Sequence, residues 1–314
     1  FHQVMFPFFW FIWEDKMSTF HVEHYKMNNK NHCYLKLKDH SVSNEEFELH
    51  YNSELDLLET KPRPSLVDLP TYYESESYIS HTDASKSIVD KMYQLVKKIS
   101  LKNKLKLINS FNTSSKKLLD VGCGTGEFLL TSENNGWSIS GVEPNRNART
   151  LAKEKLGINS VAALFDDINL INNEQFDVIT LWHVLEHIPN LDEYVSKLKL
   201  LLKPSGVLII AVPNFKSFDA TYYENFWAAY DVPRHLWHFS QNAIQKLFSK
   251  VELNVEKKKP MFFDSFYVSI LSEKYKTGKS NFIKAFFIGL YSNFKALGSS
   301  EYSSLIYILK SAKN

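Results

Sequence analysis

Cysteine is nearly absent from this chain: 314 residues hold two, Cys33 and Cys123. Two isolated thiols make neither a disulfide framework nor a zinc spacing, and point to a reducing, cytoplasmic setting. Charge of one sign is equally scarce. The formal net charge is +2 and the pI near 8.3. Lys97, Lys98, Lys102, Lys104, Lys116 and Lys117 are scattered among acids, and the Lys257-Lys258-Lys259 run is short. A solvated face accounts for these lysines, whereas a nucleic-acid footprint would need a concentrated basic stripe. Nor is a transmembrane segment expected. The aromatic run from Phe6 to Trp13 is broken by Pro7 and falls far short of the ~20 apolar residues of a span. It also lacks the basic leader and small-residue cleavage site of a signal peptide. Met17 is the expected start, with residues 1–16 read as a translation artefact.

What the chain does have is Leu118-Leu119-Asp120-Val121-Gly122-Cys123-Gly124-Thr125-Gly126. An apolar strand delivers a carboxylate, then three alternating glycines, where a helix should begin. A Walker A loop would need a Lys after the last glycine, and none follows Gly126. The dinucleotide fingerprint would need a third glycine where Glu127 stands. A carboxylate there would face a pyrophosphate at the helix start, which is unfavourable. The remaining Asp-x-Gly-x-Gly-x-Gly pattern resembles the first motif of class I S-adenosylmethionine (SAM) methyltransferases, most nearly the bacterial small-molecule group related to quinone-precursor O-methyltransferases. The donor carries an ammonium, a carboxylate and a sulfonium, and an acid beside bare backbone amides suits that mixed charge. A glycine-rich turn that binds nothing is the bland alternative.

Downstream segments fit the same ligand. A strand from Ser138 to Val142 ends in Glu143, about 20 residues past the loop, where nucleotide-binding α/β folds place the acid that takes the ribose hydroxyls. A short strand near Val161 to Leu164 leads to Asp166-Asp167, where the resemblance implies an acid against the adenine amino group. Phe176 to Leu181 and Val207 to Val212 read as further buried strands. Asn145 should cap a helix closed by Gly157, and Asn190 with Glu193 should form a capping box. Alternating apolar strands and amphipathic helices give an α/β fold. The resemblance implies a Rossmann-like, seven-stranded, mostly parallel sheet with helices on both faces, closed by Leu253 to Lys257 and an antiparallel Ser304 to Leu309. Residues 17–83 read as a β-rich cap and lid segment and residues 84–314 as the SAM domain, with acceptor-pocket insertions within 213–300. Thr82-Asp83 should open the long helix that precedes the glycine loop.

Candidate chemistry clusters in three places. Gly122, Cys123, Gly124 and Gly126 join Asp120 and Glu143 as cofactor residues. Trp182 could face the sulfonium or lie in the core, and Tyr78 and His81 could close over the cofactor or simply pack. After the fourth strand comes Trp182-His183-Val184-Leu185-Glu186-His187. Its Glu-His pair matches many relatives, which makes His183, Glu186 and His187 catalytic candidates for removing an acceptor proton. Some relatives hold a divalent metal with a fuller Glu-x-x-Glu-His set. His183 replaces the first Glu, so no metal is expected. The inverted-zincin reading of His-x-x-Glu-His fails because that motif belongs in mid-helix. The third place, Tyr222 to Phe239, interleaves aromatics with His and Arg. Tyr223, Trp227, Tyr230 and Arg234 are acceptor-binding candidates there, and His235 and His238 catalytic ones. The aromatic insertion at 261–297 should cover the acceptor; dimerisation and a membrane surface are the other uses of its apolar face. The expected function is SAM-dependent methylation of a small molecule, at oxygen before carbon or nitrogen of a sugar or lipid precursor. A non-catalytic SAM-binding domain and an NAD-dependent oxidoreductase are the other readings, the last disfavoured by Glu127. Oligomeric state is not readable.

Overall fold

The computed structural model describes residues 31–65, 67–73, 88–113, 115–157, 161–163 and 175–312. Asn31–Asn314 forms one unit. Its centre is a sheet of β4 (Lys117–Val121), β5 (Ser138–Val142), β6 (Val161–Ala162), β7 (Phe176–Trp182), β8 (Leu202–Pro213), β10 (Leu253–Pro260) and β11 (Ser304–Ser311). The spatial order is β10-β11-β8-β7-β4-β5-β6, and only β11 runs against its neighbours. The seven-stranded, mostly parallel sheet expected from the sequence is therefore present.

Strand alternation sends the apolar runs to two cores. Leu118, Val178, Val207 and Ile209 face one side, where α1 (Ile88–Asn109), α2 (Glu127–Glu133) and α3 (Arg146–Leu156) pack. Leu119, Ile179, Leu181, Leu208 and Ile210 face the other, against α4 (Leu191–Leu201) and α6 (Gln241–Ser249). Asn145 caps α3 as expected, its Oδ1 accepting from the Ala148 amide at 3.0 Å. Asn190 behaves differently from the expected capping box. Its side chain makes no cap bond to the helix backbone and instead donates through Nδ2 to Glu193 Oε2 at 2.9 Å. The expected start of α1 at Thr82-Asp83 lies outside the described residues.

The N-terminal strands are not self-contained. β1 (Asn31–Lys38), β2 (Glu46–Asn52) and β3 (Leu57–Lys61) form an antiparallel meander whose fourth strand is β9 (Trp237–Phe239), from the aromatic segment after β8. Between β8 and β9 lies the short α5 (Phe218–Tyr223), and between β10 and β11 the hairpin of α7 (Asp264–Thr277) and α8 (Phe282–Ser299). Small residues let this hairpin close tightly: Ser265 Oγ donates to the Gly289 carbonyl at 3.1 Å, and a Cβ on Gly289 would meet the Phe266 backbone at 3.0 Å.

Candidate active site

The chain runs β4, β5, β6 in one direction and returns to β7 and β8 on the other side of β4. This reversal opens a crevice at the carboxyl end of β4, the ligand site of open α/β sheets. Asp120 pairs in register with Gly141 of β5 and Thr180 of β7, and Glu143 directly follows β5, so both acids stand at the same sheet edge. The glycine loop lies between them. Gly122, Gly124 and Gly126 have φ of +70°, +56° and +81°, backbone that L side chains resist. The Gly122 and Cys123 amides donate to the Val142 carbonyl at 2.8 and 3.0 Å, and Gly124 N donates to Glu143 Oε2 at 2.8 Å. Gly126 also lets α2 and α3 approach, since a Cβ there would lie 2.9 Å from Leu156 Cδ1.

Electrostatics single out Asp120. It is 2% exposed, and Thr180 Oγ1 donates to its Oδ1 at 2.6 Å. Burial pushes its carboxyl up to about 7, against the opposing Thr180 hydrogen bond and the Lys104 charge. Burial also raises the Glu143 carboxyl, against the opposing bonds from the Asn145 and Gly124 amides. Lys104 of α1 reaches into this corner, its Nζ 4.4 Å from the centre of the Trp182 ring and 5.9 Å from that of Phe128. Burial lowers its pKa while Asp120 and Asp264 oppose the shift. Among the described residues Lys104 has no hydrogen-bond partner, and neither has the buried Trp182 Nε1. An acid, an ammonium and an indole N–H thus surround a glycine loop. That donor set fits the ammonium and carboxylate of a methionyl group. Glu127 sits at the first turn of α2, bridged to Lys97 at 2.7 Å, which fills the pyrophosphate position with negative charge. Sequence reasoning took Lys104 for a solvated lysine. Its signal was the stripe it shares with Leu101, Leu105 and Ile108, where a lysine is out of place.

The second group gathers beyond β7. His183 has φ +57°, and its ring bridges Asp264 Oδ2 of α7 at 3.2 Å and Glu186 Oε1 at 3.4 Å. Burial opposes protonation, but the two carboxylates outweigh it and push His183 up to about 10. Burial likewise opposes ionisation of Glu186, and His183 overcomes it, holding the carboxyl low. Glu186 is 1% exposed, yet neither oxygen accepts a hydrogen bond. The His187 and His235 rings meet edge to face at 4.6 Å. His187 Nδ1 donates to the Arg234 carbonyl at 3.0 Å, with Tyr73 Oη 3.0 Å from the same nitrogen. That bond leaves the lone pair of the neutral ring on Nε2. Burial, reinforced by the neighbouring His235, lowers His187 to about 4. His235 Nδ1 donates to the Ala229 carbonyl at 2.9 Å. Donor atoms of Glu186, His187 and His235 lie within 4.8 Å of one another, as do those of Cys33, Glu48 and His50 on the β1–β2 surface.

Other candidates stand elsewhere. His238 is buried with Nε2 3.1 Å from Thr60 Oγ1, tying β9 to β3. Tyr223 and Trp227 are 0% and 2% exposed, Trp227 Nε1 donating to Asp219 Oδ2 at 2.8 Å, and Tyr230 is buried between Trp227 and His238. Arg234 is buried against Asp39 and Asp231 at 2.8 and 2.7 Å and donates to the Tyr72 carbonyl at 3.0 Å. These side chains form the second apolar core and its ionic lock, not a cleft wall. Tyr78, His81, Asp166 and Asp167 lie outside the described residues.

The chain is similar to known proteins in sequence and in fold. Residues 91–258, more than half the chain, match the family described as "Methyltransferase domain". The ubiquinone biosynthesis O-methyltransferase of Haemophilus ducreyi is 33% identical over 108 residues, covering 32% of this chain and 46% of that protein. Its counterpart from Actinobacillus pleuropneumoniae serotype 5b is 36% identical over the same length and coverage. The chain spans about half the length of these curated relatives. Among solved structures, magnesium protoporphyrin IX methyltransferase from Synechocystis with bound SAH superposes with a TM-score of 0.50 at 15% identity, covering 79% of this chain and all of that one. At that identity the likeness is one of fold.

Proposed function

The chain belongs to the class I SAM-dependent methyltransferases, and from that premise we propose that it methylates a hydroxyl oxygen of a small-molecule acceptor. The observation that carries the reading is the convergence at one sheet edge of a donor site, Asp120, Lys104 and Glu143, with the imidazoles of His187 and His235 (the second group reached through Trp182-His183). In this reading Asp120 takes the donor's ammonium, Lys104 its carboxylate and Glu143 its ribose. When bound, S-adenosylmethionine supplies a methyl already activated on a sulfonium. The protein must then align the acceptor, exclude water and remove one proton. His187 is the group for that proton: it is neutral at pH 7, and the Arg234 carbonyl holds its tautomer with Nε2 free to accept. The ionised Glu186 beside it stabilises the imidazolium that forms. The name carried by the quinone-pathway relatives supports oxygen as the acceptor atom.

The test is transfer of a labelled methyl to hydroxylated aromatic and lipid acceptors. His187→Ala should cut turnover by roughly 10²–10⁴-fold with SAM affinity held within about twofold. The acid limb of kcat should fall near pH 4 rather than 6.5, following the depressed imidazole. Label recovered on carbon or nitrogen, or unchanged turnover in the variant, overturns the assignment.

One observation favours a second reading, in which a divalent cation joins the chemistry. Glu186 is a buried carboxylate without a hydrogen bond, and His187 and His235 each offer a ligand atom within 4.8 Å of it. Calorimetry with Mn²⁺ and Zn²⁺ decides: one bound ion lost in Glu186→Gln supports it, and no heat removes it.

A further inference from the structure

Helix α8 carries a face that the transfer site does not use. Ile283, Phe286, Phe287, Leu290, Phe294 and Leu297 are 47–74% exposed. At 3.6 residues per turn they fall within an arc of about 100°. The opposite face of the same helix, Ala285, Ile288, Gly289, Ser292 and Ala296, is buried against the rest of the molecule. α8 is therefore apolar on both sides but needs only one for folding. Large aromatic and aliphatic side chains in an unbroken outward stripe exceed what monomeric surfaces ordinarily leave in water.

Charge identifies what the stripe fits. From Lys274 to Ser300 the chain has five lysines (274, 276, 279, 284 and 295) and no Asp or Glu. Two acids bound this stretch: Glu273, 1% exposed and paired to Lys284 at 3.0 Å, and Glu301, half-buried and accepting from Asn214 Nδ2 at 2.7 Å. Lys284 and Lys295 flank the stripe on one side, and Lys274 and Lys279 stand exposed at the hairpin turn. A second copy of this face, docked isologously, would bring these like charges together around the contact. An anionic lipid surface instead matches both features: aromatic side chains enter the acyl boundary and lysines meet the headgroups. Among the described residues no helix is long and apolar enough to cross a membrane.

We propose that the outer face of the α7–α8 hairpin docks this protein onto anionic bilayers. Phe262 and Phe263, both about half exposed, extend the face to Asp264, whose carboxylate holds His183. The docked membrane then adjoins His183, and the acceptor class becomes a lipid-borne hydroxyl; this last step rests on the methyl-transfer reading above, whereas docking itself does not.

The test is flotation of the full chain with phosphatidylcholine vesicles with and without phosphatidylglycerol. The protein should float with the anionic vesicles and be released by salt. Phe287→Ser with Phe294→Ser should weaken recovery at least about tenfold, a loss of ~1.4 kcal/mol. Lys279→Glu with Lys295→Glu should abolish the preference for phosphatidylglycerol. SAH affinity measured in vesicle-free buffer should not change in either double variant, which certifies the fold and separates docking from cofactor binding. Absence of flotation by the unaltered chain overturns the proposal. So does a concentration-dependent dimer that the Phe double variant dissociates without any vesicle binding, since that assigns the face to a second copy.

Discussion

Asp120 should trade stability for function, and the size of the trade follows from its burial. The folded carboxyl holds its proton up to about pH 7 against 3.8 for an exposed aspartate. At about 1.36 kcal/mol per pK unit, ionising it inside the fold costs up to ~4 kcal/mol. The sign is fixed by proton binding. Between pH 3.8 and 7 the folded state holds the Asp120 proton and the unfolded state does not, so this group's contribution is fully present below pH 3.8. It is lost as pH rises through 7 and flat above. Asp120→Asn keeps the size of the side chain and an oxygen for Thr180 Oγ1 but cannot ionise. At pH 8 the variant should be more stable than the parent by as much as ~4 kcal/mol, on the order of 8 °C in Tm. At pH 4 the two should melt together. Calorimetry should show the reverse for ligand: SAM binding weakened at least about tenfold in the variant, with no heat from NAD in either protein. The assay is Tm against pH for both proteins, read as their difference. A difference that stays constant from pH 4 to 8 refutes the argument, because it would mean that Asp120 does not titrate in this range.

Lys104→Ala should weaken SAH at least about tenfold while leaving 5′-methylthioadenosine, which lacks the amino-acid carboxylate, unchanged; equal losses for both ligands would make Lys104 a packing residue. Arg234→Ala should leave Asp39 buried without its guanidinium and cost about 3–5 kcal/mol in denaturant unfolding. If it raised KM for the acceptor at unchanged stability, Arg234 would belong to the pocket and not to the core.

The parts of the fold that were legible in the sequence are those where local pattern and tertiary role coincide. Leu118-Leu119-Asp120 and Phe176 to Leu181 read as strands buried on both faces because their residues are apolar except at the ends: Asp120 and Thr180 near the ligand edge, and Asp177 at the opposite end, paired to Lys203 at 3.0 Å. Asp120 and Glu143 were legible as partners because parallel strands in one sheet bring their carboxyl ends together whatever lies between them. Lys104 was not legible as part of the site, since an isolated lysine in a lysine-rich helix stands out only when the apolar stripe around it is traced onto α1. The aromatic segment from Tyr222 to Phe239 misled for a different reason. Aromatic residues serve pockets and cores equally well, and the two short 3₁₀ turns that flank Trp227, the second of them carrying Tyr230, have no periodicity to say which way a ring faces.

His235 and His238 show what decided the matter. They are three residues apart, similarly placed among aromatics, and both read as catalytic candidates. β9 begins between them, at Trp237, and pairs with β3 so that His238 stands opposite Leu58 and Trp237 opposite Glu59. That register turns the His238 ring inward to Thr60 and leaves His235, still in the turn before the strand, edge-on to His187. The partner strand lies about 180 residues away in sequence, as the Thr60–His238 contact at a separation of 178 shows. No pattern local to the segment could have announced it. The division of roles between the two histidines is therefore a property of strand pairing: a one-residue slip of β9 on β3 would turn His238 out of its bond with Thr60.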